Sequence, residues 1–193
     1  MLSPRDFKEL LTLFKVGLAV GLIEIDEVKK WADGIILSES DPDIFFIELS
    51  LVNSNNQAIT LISENLRPES YPNGKAVLGQ LHKRLAEGQE LELIVRAMYS
   101  LLNEAKLSEL EKDYIYSIDD YFDMANKKVY GNLQSVEQQT ADFLFLYKEY
   151  TLENHLDWPE LDKRADYELE EMNRAATERH EEEQRKPWWK KLL

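Results

Sequence analysis

Helical periodicity, cut at intervals by cap residues, constrains this chain more than any other feature. Apolar side chains recur three and four residues apart in segment after segment, and the seven Gly and six Pro fall mostly between those segments. Ser3-Pro4 reads as an N-cap followed by a first-turn proline, and Asp6 completes an S-x-x-D capping box. Phe7, Leu10, Leu11, Phe14 and Leu18 then form one apolar face, and Gly21 supplies the C-cap. A second helix is predicted from Ile25 to Ser38, with Val28, Trp31, Ala32, Ile35 and Ile36 at core spacing. Asp41-Pro42 repeats the cap-plus-proline start. The stretch after it, DIFFIELSLV, has the length and β-branched content of a strand, but its start and its neighbours favour a helix.

Asn53 to Asn56 reads as a turn and Ala58 to Leu66 as a short helix, followed by the irregular stretch RPESYPNG. Helix-period runs follow at Lys75 to Glu87, Gln89 to Ala105 and Ser108 to Lys127. Ser108 and Glu111 form a capping box in front of a stripe of Leu110, Tyr114, Ile118, Tyr121, Phe122 and Ala125. Ser135 and Gln138 mark a further helix through Tyr150, apolar nearly all round at Phe143 to Tyr147 and therefore expected to be the most buried. No alternating strand pattern and no βαβ rhythm competes. The fold class is all-α: an irregular multi-helix bundle of stacked helical hairpins with a charged C-terminal helical arm.

The arm begins where composition changes. Residues 1–155 hold 26 acids and 15 bases and are expected to form an acidic helical domain; residues 156–193 hold 11 acids and 8 bases on a thin apolar stripe. Pro159 is placed to start the arm's helix. Glu160–Arg164, Glu170–Arg174, Glu181–Arg185 and Glu182–Lys186 have the acid-before-base i, i+4 order that supports an exposed helix. The last eight residues, KPWWKKLL, carry three Lys and no acid.

Charge and composition remove whole classes of function. A net charge of −14 argues against nucleic-acid binding, which needs clustered Lys and Arg against phosphates. Without Cys there is no disulfide, no thiolate metal site and no thiol nucleophile, which fits a reducing compartment. Leu10 to Ile23 imitates a signal-peptide core, but Lys15 interrupts it, no positive segment precedes it, and it is too short to span a bilayer. A cytoplasmic protein without stable membrane insertion is expected.

No G-x-S-x-G, P-loop or G-x-G-x-x-G occurs, and His180 opens H-E-E-E-Q rather than H-E-x-x-H. Asp119, Asp120 and Asp123 spell D-D-x-x-D, which resembles the first aspartate-rich motif of terpene and prenyl synthases. That resemblance implies Mg²⁺ held on a diphosphate by carboxylate oxygens. At 100° per residue, however, these aspartates lie opposite the apolar stripe, where a solvated face is expected. The opening Gly21-Leu22-Ile23, Glu27-Val28, Trp31-Ala32-Asp33 and Ile47-Glu48-Leu49-Ser50 resembles that of uncharacterised bacterial all-helical proteins, and implies no activity.

The sequence therefore points to a non-enzymatic protein-binding module without a cofactor, of the type of an acidic inhibitor or immunity protein facing a basic partner. Trp188, Trp189, Lys190 and Lys191 are its candidate partner-binding residues, since exposed Trp is enriched at interfaces. The alternatives are a structural homo-oligomer, or a Mg-dependent enzyme using Asp119, Asp120 and Asp123.

Overall fold

The computed structural model describes residues 2–66 and 71–185. Among these residues the fold is nine α-helices with no strand: α1 Lys8–Val20, α2 Ile25–Ser38, α3 Ile44–Leu51, α4 Asn55–Asn65, α5 Gly74–Ala86, α6 Leu91–Glu104, α7 Glu109–Asn126, α8 Leu133–Phe145 and α9 Trp158–Arg185. The all-α expectation is met. Successive helices pack as neighbours in α2–α3, α6–α7 and α7–α8, while α1 packs on α4 and α5 sits against both α6 and α8.

Cap chemistry sets most boundaries. The Ser3–Asp6 box opens a 3-10 turn, Pro4–Phe7, that leads into α1, and Gly21 ends α1 at φ 72°, a left-handed conformation that favours glycine. Three other caps differ from the sequence reading. Asp43, not Asp41, caps α3 by accepting from the Phe45 N–H. Ser54 caps α4 inside the expected turn, because its hydroxyl reaches the Gln57 N–H. Asn132, three residues ahead of Ser135, caps α8 by accepting from the Ser135 N–H.

α8 is not the most buried helix: α1 and α5 each bury seven of their thirteen residues, and α8 buries four. Leu10, Leu11, Leu13 and Phe14 are fully buried, whereas Phe145 is exposed and α8 stops there. Beyond it the chain winds through i→i+3 bonds at Leu146, Tyr147, Lys148 and Tyr150, which turn Tyr147 inward. On α7 the buried face is Glu111, Ile115, Ile118, Phe122 and Ala125, and Tyr121 stands outside it.

The core continues into the arm. Trp158 is fully buried with its indole N–H on the Thr151 carbonyl at 3.2 Å, and Ala165 and Leu169 join the same apolar cluster, with Met172 half-buried against it. The expected Glu160–Arg164 and Glu170–Arg174 pairs are replaced, once by an acid of the body and twice by i, i+3 pairs within the arm. Arg164 bonds Glu149, Glu160 takes Lys163, and Arg174 pairs with Glu171. Glu182 with Lys186, and the tip carrying Trp188, Trp189, Lys190 and Lys191, lie wholly or partly outside the described residues.

Two glycines show where backbones come close. A Cβ on Gly74 would stand 2.4 Å from the Lys106 carbonyl, because residues 72–74 and 106 exchange backbone hydrogen bonds in an isolated parallel bridge. A Cβ on Gly79 would stand 2.7 Å from the Tyr147 carbonyl oxygen and 2.7 Å from Tyr150 Cβ. Gly79→Ala is therefore expected to cost about 1–3 kcal/mol in urea unfolding, as overpacking against backbone does. Gly34→Ala is the opposite case: nothing lies within 4 Å of its added Cβ. It should gain about 0.5–1 kcal/mol in the same assay from helix propensity.

Candidate functional site

The aspartates that most resembled a metal site do not assemble into one. Asp120 and Asp123 are exposed, Asp119 is half-buried, and Asp123 is paired with Lys127 at 2.6 Å. Among the described residues no three His, Asp or Glu side chains gather closely enough to hold a metal ion. Partial burial, then the neighbouring Asp123 and Asp120, push the Asp119 carboxyl above its ordinary value, against the pull of Arg96. This face of α7 also exposes Tyr116, which meets Tyr99 of α6 edge to face at 6.0 Å.

A buried polar cluster joins α5, α7, the segment after α8 and α9, and the sequence reading missed it. Glu111 is fully buried. One of its oxygens accepts the Ser108 N–H at 2.6 Å, closing the capping box, and the other accepts the Tyr147 hydroxyl at 3.1 Å. Lys75 lies 3.8 Å from Glu111 and 2.9 Å from Asp166. Asp162, one helical turn before Asp166, accepts from the Tyr150 hydroxyl at 2.8 Å and from the Asn73 amide at 3.1 Å. Burial opposes the Lys75 charge, but Asp166, Glu111 and Asp162 together outweigh it and hold the ammonium above its ordinary value. Burial, then Glu111, drives the Tyr147 phenol far up; burial, then Asp162, does the same for Tyr150. Each of these three groups is thereby fixed in its resting protonation state, whereas general acid–base work needs a group poised near the working pH. The arrangement clasps α9 to the body. The sequence carried little signal for it, since Asp162 and Asp166 flank the apolar stripe of α9 and Asp166 stays half exposed.

A second feature is a surface. From Asp33 to Glu64 the chain carries Asp33, Glu39, Asp41, Asp43, Glu48 and Glu64, with no Lys or Arg between Trp31 and Leu66. It folds as the end of α2 with α3 and α4. Phe45, Phe46 and Leu49 bury one side of α3, while Ile44 and Leu51, seven residues apart, stand on the other at 64% and 68% exposure, close in sequence to Leu37 at 87%. Acids and exposed aliphatics thus share one region.

The third is a cleft of about 820 Å³ between α2, α5 and residues 148–153. Trp31 forms one wall, braced edge to face by Phe7 at 5.1 Å and Phe14 at 5.3 Å. The wall is held to α5 because Glu27 of α2 accepts from Lys83 at 2.7 Å and Arg84 at 3.1 Å. Burial favours the neutral Glu27 acid, yet the Glu24 N–H and then Lys83 overcome it and keep the carboxyl below its ordinary range. His82 on the same rim is pulled down by burial and then by Lys148. Gly34 leaves its part of the wall bare, at a helix-propensity cost of about 1 kcal/mol relative to alanine.

Removing the carboxylate at the centre of the clasp should be severe. Glu111→Ala is expected to lose about 3–5 kcal/mol in chemical denaturation, since it leaves the Ser108 N–H and the Tyr147 hydroxyl without their acceptor and Lys75 with Asp166 alone. Tyr147→Phe should lose only about 1 kcal/mol. At Asp119 the folded protein binds its proton more tightly than the unfolded chain, so this carboxyl lowers stability once pH rises above its titration. Asp119→Asn should raise the melting temperature at pH 7, with a gain that shrinks towards pH 3.

No protein-family model, no curated protein and no solved structure matches this chain.

Proposed function

We propose that the chain is a non-enzymatic binding module that engages a basic protein partner through the acidic α2–α4 surface, as an inhibitor or immunity-type protein does. The observation that carries this reading is the exposed side of α3, where Ile44 and Leu51 stand in a stretch holding six acids and no base. Exposed aliphatics supply desolvation at an interface core, and surrounding acids steer a basic partner and exclude acidic ones. The face also explains a compositional oddity. An eight-residue helix apolar on both sides buries only one of them within its own chain.

Self-association is the second reading, favoured by the complementary charge of the KPWWKKLL tip, +3 with two Trp and two Leu. Light scattering on the chain with and without residues 187–193 separates the two. Loss of an oligomer on truncation assigns the acidic face to a second copy.

For a foreign partner, the full chain is used to capture proteins from its source cells, and the captured protein is identified and purified. It should be basic. Asp41→Lys with Glu48→Lys should slow association at least about 10-fold at low salt, an effect that fades as salt screens the charges. Leu51→Ala should weaken equilibrium binding by about 1–2 kcal/mol. An acidic partner, or a basic one indifferent to all three substitutions, overturns the proposal.

A further inference from the structure

We propose that the cleft between α2, α5 and residues 148–153 binds a small organic carboxylate that has a flat apolar body and a hydrogen-bond donor. At about 820 Å³ the cavity falls in the size range of small-molecule pockets, roughly 300–1,000 Å³. Three independent features define the ligand.

The first is the wall. Trp31, Ile35 and Leu152 offer apolar surface, and Gly34 extends the open space where any other residue would project a side chain. A helix-interior glycine whose Cβ would touch nothing has no packing reason within the chain. Its effect is to keep room for something flat against Trp31.

The second is an acceptor left open to the cleft. Gln80 is 4% exposed, and its Nε2 donates to the Tyr150 carbonyl at 3.3 Å. Among the described residues nothing donates to its Oε1. That oxygen is not sealed from solvent, so a ligand in the cleft offers the donor that water otherwise gives.

The third is charge. Lys83 is neutralised by Glu27, and Arg84 is shared between Glu27 and Glu87. Lys30 and Lys148 line the rim with no carboxylate paired to either among the described residues, and Lys148 sits 3.6 Å over the Phe145 ring instead. Glu153 is the rim acid left without an ion pair, one carboxylate against two ammoniums. The lining as a whole balances, Glu27, Glu87 and Glu153 against Lys30, Lys83 and Lys148, so in a chain of net charge −14 the anion is drawn by the two unpaired ammoniums and not by a net positive rim.

Indole-3-acetate combines the three properties and serves as the probe. Titrated into the ¹⁵N-labelled full chain, it should shift the Gly34 amide, the Gln80 side-chain amide and the Trp31 indole N–H with one saturating isotherm. Its Kd should lie at or below about 1 mM, as ligand efficiency gives for a molecule of this size. Indole-3-acetamide, which lacks the charge, and naphthalene-1-acetate, which lacks the N–H, should each bind several-fold more weakly. Gly34→Leu should fold with an unchanged or higher melting temperature and lose binding. Lys30→Gln with Lys148→Gln, both at exposed positions, should abolish the preference for the acid over the amide. Shifts that stay linear with concentration, equal binding of acid and amide, or saturation undiminished in Gly34→Leu would each overturn the assignment. None of these outcomes depends on whether a protein partner binds the α3 face.

Discussion

A buried carboxylate needs more than one donor, and in this chain that requirement ties four separate segments together. Glu111 has no water to solvate it, so Ser108, Tyr147 and Lys75 must take water's place. Satisfying it brings the N-terminus of α7, the turn after α8 and the first turn of α5 to one point. Lys75 then exceeds what one distant carboxylate can neutralise, and Asp166 completes it from α9. The long C-terminal helix is therefore not free to peel away. Detaching it would expose Trp158 and leave Lys75 with Glu111 alone.

The same convergence shapes the cleft. Tyr147 can reach Glu111 only because the chain tightens after Phe145, and that tightening lays residues 147–150 on the bare backbone of Gly79. Tyr150 belongs to both places: its hydroxyl is held by Asp162 within the clasp, and its carbonyl is held by Gln80 beside the cleft. One wall is thus set by the polar interior, and the other, Trp31, by the aromatic packing of Phe7 and Phe14. Substitutions in the clasp should reach the cleft through Tyr150 rather than through any direct contact.

Much of the helical framework was legible because it depends on local chemistry. The Ser3–Asp6 and Ser108–Glu111 boxes follow from side chains bonding within three residues, and the Gly21 cap from a left-handed backbone that glycine adopts freely. What failed was competition between equally good local signals, as when Asn132 rather than Ser135 capped α8, or Asp43 rather than Asp41 capped α3. The long-range features were hidden for a different reason. Glu111 looked like a cap residue and is one, but only its depth in the core reveals the need for Lys75, and that depth is a tertiary property. Likewise Arg164 reads as a partner for Glu160 until the fold brings Glu149 closer.

The segment whose class was hardest to read turns out to be the most telling. DIFFIELSLV hid its helical period because its apolar residues fall on both sides of the helix, which leaves no polar stripe to reveal the phase. A helix that needed only to fill this core would require Phe45, Phe46 and Leu49 and would tolerate Lys, Gln or Ser at Ile44 and Leu51. Ambiguity in the pattern is thus the sequence-level trace of a second apolar face. No described residue covers that face, so packing within the described fold does not by itself account for the apolar residues at Ile44 and Leu51. The run of acids around them is what gives the proposed partner its required sign of charge.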